Sequence, residues 1–287
     1  MTETKDTTGE KVRKPREHMV IAAADPVKLG SMLLTLVDPH PGHEAAYNRW
    51  YERDHFYSGC MIGPWQFAGK RFVATADLKK LRDPDPSAIT GEPYRGSYVS
   101  LYWVLDGHHD EWNLWAVDQV RALHKQGRMF DARDHVHTLL YRYRFQTGRG
   151  PDPVPAELAL DHPHEGMVAM WVDAPEGGDR DDLQGRLLED HLPATIEASA
   201  AGLVVGFEPL PLQVDVPGVA RSESLDRRLL LLWFLHESPA ECLAATVGKA
   251  RELIESAGDG TVVASLPFKP TFPGTDRYTD ELWVGEQ

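Results

Sequence analysis

"YERDHF", residues 51–56, and "LLEDHLP", residues 187–193, carry the same acid–histidine pair, Asp54-His55 and Asp190-His191, inside two helix-like stretches. Whether the repeat is chance or architecture decides the fold. An apolar run closing on Val-Asp stands before each stretch, "SMLLTLVD" (31–38) before the first and "GMVAMWVD" (166–173) before the second. In "HPGHEAAYNRWYERDHFYSGC", Tyr47, Trp50, Tyr51 and Asp54 fall at helical spacing, which predicts a helix ending near residue 60. "RDDLQGRLLEDHLPATIEASA" (180–200) reads as its counterpart, with Pro193 marking a break or bend.

The order of elements continues in parallel. "KRFVATA" (70–76), "SYVSLYWVL" (97–105), a helix over 109–127 stopped by Gly127, and "HVHTLLYRYRF" (135–145) complete the first block. "VVGFEPLPL" (204–212), "RRLLLLWFLHE" (227–237), a helix from the N-cap Ser238 and Pro239 to Gly258, and "GTVVASLPF" (260–268) complete the second. Val37-Asp38-Pro39 aligns with Val172-Asp173 and Pro175, and Trp103 is paired with Trp233. Both blocks spell β-α-β-β-α-β, the ferredoxin-like plan. One such unit covers only one face of its sheet, so two fused units can cover each other. The expected organisation is a polar, flexible tail over 1–27, a first half over 28–146, a Pro- and Gly-rich linker over 147–165, a second half over 166–275, and a C-terminal tail over 276–287.

The first-helix pattern, aromatic-rich and ending in acid–His–apolar–Pro, is similar to that of the dimeric α+β barrel superfamily, within it the EthD-like and antibiotic-biosynthesis-monooxygenase-like members. "EDHLP" (189–193) matches closely, and "ERDHFY" (52–57) matches without the proline. The resemblance implies an α+β fold, two ferredoxin-like sheets facing each other as a barrel within one chain. It leaves the reaction open, because relatives include cofactor-free monooxygenases, isomerases, dehydratases and haem-degrading enzymes.

Composition narrows the classes. The 287 residues carry a formal charge of −14, which argues against nucleic acid or an anionic membrane as partner. The longest apolar run, "LLLLWFL" (229–235), suits a buried strand rather than a membrane span. Cys60 and Cys242 make no disulfide framework, and a cytoplasmic location is expected. Phosphate-loop motifs and the usual metal-ligand spacings are missing, so no cofactor and no metal are expected. "DGHHDEW" (106–112) and "DHPHE" (161–165) read as solvated turns. Haem is the exception, since one histidine in an apolar cavity can hold iron.

The candidate chemistry centres on the first half, the richer in polar and aromatic groups. His55 is the expected acid/base, with Asp54, Tyr51 and His137 as its catalytic company. Asn48, Trp50, Tyr57, Trp65, Tyr98, Tyr102 and Tyr141 are the expected substrate contacts. Strand parity sends Tyr98, Tyr102, His137 and Tyr141 toward an inner cavity and Val99, Leu101 and Trp103 toward the helices. The bland alternatives are a helix-end role for His55 and core tyrosines bonded to backbone. The substrate is expected to be a hydrophobic, cyclic or aromatic small molecule, turned over by isomerisation, elimination or oxygen insertion. The other reading is a non-catalytic barrel that only binds a small ligand, or a structural barrel with a filled core. Whether two fused units pair as a homodimer stays open.

Overall fold

The computed structural model describes residues 26–210 and 225–285. Most of the expected N-terminal tail, and positions 211–212 of one expected strand, lie outside these residues. The first half contains β1 (Leu29–Pro39), α1 (Glu44–Trp50) continued by π-helical turns over Tyr51–Met61, β2 (Gln66–Val73), α2 (Ala76–Lys80), β3 (Asp83–Pro84), α3 (Ser87–Thr90), β4 (Tyr98–Leu105), α4 (His109–Lys125) and β5 (Arg133–Gly148). After a short 3₁₀ turn at Ala156–Leu158 come β6 (Gly166–Asp173), α5 (Arg180–Arg186), π turns at Leu187–His191, α6 (Leu192–Glu197), β7 (Ala201–Leu210) and β8 (Arg228–Leu235). They are followed by α7 (Pro239–Cys242), α8 (Lys249–Ala257) and β9 (Thr261–Pro270). The wide turn at Leu187–His191 lies just before Pro193, whose missing N–H cannot continue a regular helix.

All strand pairings are antiparallel, in the order β2-β4-β1-β5-β7-β8-β6-β9, with β3 on the β9 edge. Phe72↔Pro270 and Val73↔Lys269 join β2 to β9 and close the sheet into a barrel. Each half contributes four strands in the same spatial order, second-third-first-fourth. This is the α+β barrel of two ferredoxin-like units.

Closure gives every strand an inside and an outside. Inside, Met32, Leu34, Val99, Leu101, Trp103, Met167, Trp171, Val205, Phe207, Leu232, Phe234 and Leu266 form one apolar core drawn from both halves. All are at most 1% exposed, so no water-sized space touches them. The inner cavity expected from sequence is, at these side chains, a packed core. Outside, the helices cover the sheet. Leu183, Leu187, Ile196, Val247 and Ile254 pack on the outer face of the second half. On the first half, Tyr47 and Tyr51 pack on Val37, Val73 and Tyr98.

Two expectations are corrected here. Tyr98 and Tyr102 face the helices, while Val99, Leu101 and Trp103 face the barrel interior. And Trp103 does not match Trp233. Val37 pairs with Tyr98 and its counterpart Val172 with Leu229, so five steps along each ladder set Met32↔Trp103 against Met167↔Phe234. Trp233 points outward into the helix-covered core. A one-residue offset exchanges the two faces of a strand.

The connection between β5 and β6 also caps one barrel end. Ala156, Ala159 and Leu160 are buried in the interior core, and Trp103 Nε1 donates to the Ala156 carbonyl at 2.9 Å. After β9 the chain runs back over the first half. Thr271 donates to the Arg71 carbonyl, Leu282 is fully buried, and the buried Lys79 Nζ donates to the Leu282 carbonyl (2.9 Å) and to Ser97 Oγ (2.7 Å).

Candidate active site under the first helix

The 11 residues Tyr51–Met61 are π-helical throughout. Their buried positions, together with those of α1, are Tyr47, Asn48, Tyr51, Gly59 and Cys60, spaced more widely than a 3.6-residue period. Such turns are uncommon and concentrate at functional sites. Here the aromatic side chains of this helix pack against β2 and β4, Tyr47 and Tyr51 on Val73 and Tyr98, and Phe56 on Tyr102. Gly59 is required, since a Cβ there would come within 2.7 Å of the His55 ring.

At the centre lies a residue that the sequence reading passed over, Arg71 of β2. It pairs with Ser100 in the ladder and so shares the outward face of Tyr98 and Tyr102. Its guanidinium lies 4.3 Å from the Tyr51 ring centre, 4.7 Å from that of Tyr98 and 5.8 Å from that of Tyr47. Nη1 donates to Asn48 Oδ1 (2.9 Å) and Glu52 Oε1 (3.3 Å). Arg71 is only 4% exposed, yet Nε and Nη2 have no hydrogen-bond partner among the described residues, and neither do the buried hydroxyls of Tyr47 and Tyr98. An unsatisfied buried polar group costs about 1–3 kcal/mol. Several at one spot call for a reason.

A cleft of about 190 Å³ opens beside this cation, lined by Glu52, Phe56, Tyr57, Gly69, Lys70, Arg71, Thr271 and Pro273. Glu52 is fixed from two sides, by Arg71 and by the Gly274 N–H at 2.8 Å. Asn48 Nδ2 donates to the Thr275 carbonyl, so the returning C-terminal segment forms one wall. Burial raises the phenols of Tyr51 and Tyr102, and that of Tyr98 to about 12, Arg71 opposing the last shift. All three are therefore hydroxyl donors at neutral pH. Tyr51 and Tyr102 share a short hydroxyl–hydroxyl bond.

Of the residues expected from sequence, Asn48, Trp50, Tyr51, His55, Tyr57, Tyr98 and Tyr102 come together under this helix. His55 does not pair with Asp54. Its ring stacks on Trp50 (4.5 Å, 17°), and its Nδ1 is buried without a hydrogen-bond partner among the described residues. Asp54 turns to Arg128, whose hydrogen bond holds the carboxyl below its usual range. His137 and Tyr141 lie apart, inside the barrel. Trp171 Nε1 donates to Tyr141 Oη (3.1 Å), which lies 3.0 Å from His137 Nε2. Trp65 stands elsewhere, stacked on His108 at 3.8 Å. His191, in the second copy of the motif, is buried and bonded to Asp259 at 2.8 Å.

Burial pushes His137 down to about 4, with Arg228 adding to it, and His55 likewise to about 4, with Arg133 next. Both are neutral in the folded chain, whereas the unfolded chain takes up their protons near 6.5. The unfolded state therefore binds more protons between these values, and stability falls as pH is lowered through that window. The urea midpoint should be flat between about pH 7 and 8 and decline between about 6.5 and 4. His137→Gln should flatten part of that slope, and an unaltered slope would contradict the account.

Haem, left open by the resemblance, needs an imidazole nitrogen facing a slot wide enough for the macrocycle. His55 lies flat on Trp50 beneath Gly59, and His137 is enclosed by Trp171 and Tyr141. Neither fits.

No protein-family model matches the sequence, and no curated protein matches it. The fold does match solved structures. One is a protein assigned as a chlorite dismutase, with TM-score 0.50 and 10% identity, covering 89% of this chain and 100% of the other. Another is a DyP-type peroxidase from Streptomyces coelicolor, with TM-score 0.50 and 14% identity, covering 90% and 93%. At these identities the likeness is one of fold. Among the described residues no helix is long and apolar enough to cross a membrane.

Proposed function

We propose that this chain captures a small, hydrophobic, anionic organic molecule in the cleft over β2 and turns it over by acid–base chemistry without a resident cofactor. The observation that carries the reading is Arg71, a buried guanidinium beside an aromatic-walled cleft, whose Nε and Nη2 have no hydrogen-bond partner among the described residues. A carboxylate, enolate or phenolate oxygen satisfies those donors with charge-assisted bonds. Phe56, Tyr57 and Pro273 offer the apolar walls that a ring needs. In this reading Glu52 exchanges the proton with substrate, because it lines the cleft and His55 does not. Arg71 stabilises the negative oxygen that develops, in a setting of low dielectric. Tyr51 and Tyr98 hold the guanidinium plane, and Asn48 fixes its orientation.

The reaction classes that suit this arrangement pass through an anion next to a carbonyl or on a phenol ring. They are isomerisation, elimination and attack of the carbanion on dioxygen. The first half is then the working half, and His191, tied to Asp259, belongs to the scaffold of the second. Membership of the dimeric α+β barrel superfamily, with two units fused after duplication, is part of the same reading, supported by the shared strand order and ladder register.

The test is a ligand panel read by isothermal titration. Aromatic carboxylates and phenolates of one or two rings should bind, and their neutral amides or methyl ethers should bind at least about 10-fold more weakly, the worth of one charge-assisted hydrogen bond. Equal binding of neutral and anionic partners would sink the proposal.

A further inference from the structure

The segment capping the barrel carries a second constellation. His162 and His164 lie in the β5–β6 connection, and His236 directly follows β8. The fold brings a ligating atom of each within 4.8 Å of the other two. We propose that His162, His164 and His236 form a binding site for one divalent transition ion of the zinc class.

Three observations carry this. The first is His164. It is 3% exposed, packed on Phe234 at 5.0 Å, and neither ring nitrogen has a hydrogen-bond partner among the described residues. A buried imidazole with two idle nitrogens is uncommon, and coordination satisfies one of them. The second is Gly202 of β7. A Cβ there would lie 2.3 Å from His236 Nε2, so glycine alone leaves room for that ring. The third is distance. Zinc–nitrogen bonds of about 2.0–2.1 Å place tetrahedral ligands roughly 3.3 Å apart, a contraction of at most about 1.5 Å from the present spacing.

The ligand type selects the ion. Imidazole nitrogen suits zinc, cobalt, nickel or copper, whereas magnesium and calcium take oxygen. Three protein ligands leave a fourth position for water, on the side where His236 is exposed. The surrounding charge is mixed. Lys70 faces the cluster from β2, its ammonium donating to the His162 carbonyl at 3.2 Å, and Asp161 stands beside Lys70. The ion would tie the cap of the barrel to the end of β8.

The test uses full-length protein without an affinity tag, stripped with chelator and titrated with zinc, then with cobalt. About one zinc should bind per chain, with a rise in Tm, and the cobalt form should show the visible bands of imidazole coordination. His236→Ala removes an exposed ring and should leave the fold intact. It should weaken zinc by more than the roughly 10–100-fold that outer partners cost, and abolish the cobalt bands. His124→Ala, at an exposed position on α4, should change neither. No stoichiometric zinc, or the same affinity and spectrum in His236→Ala and His162→Ala, would overturn the site.

Discussion

Trp103→Ala is expected to destabilise the protein by about 3–5 kcal/mol, the usual cost of emptying a large aromatic site in a core. Trp103 is fully buried in the barrel interior, 5.6 Å from Phe207 of the other half. Its indole N–H also holds the Ala156 carbonyl of the capping segment. The substitution therefore opens a cavity where the halves meet and leaves the Ala156 carbonyl with only its bond from the Ala159 N–H. Urea unfolding followed by circular dichroism should show one transition in both proteins, because the β5–β7 and β9–β2 pairings make a single closed sheet. A loss under about 1 kcal/mol, or separate transitions for the halves, would contradict a shared interior.

Arg71→Met is expected to weaken an anionic ligand by about 10- to 150-fold while the protein still folds, at a stability cost of about 1–3 kcal/mol. Bonds to a charged group are worth about 1.5–3 kcal/mol, which sets the first figure. The second follows from what the guanidinium leaves behind. Its removal orphans the buried Asn48 Oδ1 and takes the cation from Glu52, a loss that relief of the unsatisfied Nε and Nη2 offsets only in part. Glu52 keeps its bond from the Gly274 N–H in the variant. Loss of folding in Arg71→Met, with ligand affinity retained in Arg71→Lys, would assign Arg71 to the scaffold instead. Titration and thermal unfolding of the same samples separate the two.

The plan of the fold could be read from residues because its signals are local. "GMVAMWVD" is β6 as written, and the caps at Ser238 and Gly258 bracket the last helical stretch. Facing was harder. β4 is buried on both sides over nearly its whole length, so "SYVSLYWVL" shows no alternation to say which side is inside. β5 has one exposed flank at Arg142, and there the reading of His137 and Tyr141 as inward agrees with the structure. The same ambiguity misaligned Trp233 with Trp103.

The centre of the site was missed for a related reason. In "KRFVATA" an arginine beside a lysine looks like surface charge. What marks Arg71 is that Phe72 faces inward, so Arg71 must lie beneath a helix rich in tyrosine. The π turns have no sequence signature that periodicity can find, because a 3.6-residue template puts Cys60 on the side of the helix opposite Tyr51. His236 is far in sequence from His162 and His164, so "DHPHE" alone could not show three ligands.

The most direct measurement is a crystal structure with the tightest anionic ligand of the panel. The account predicts that its negative oxygen lies within hydrogen-bond distance of Arg71 Nε or Nη2, with the ring between Phe56, Tyr57 and Pro273 and a proton-bearing atom in reach of Glu52. A ligand seated anywhere else, with Arg71 Nε and Nη2 still unpaired, would contradict it.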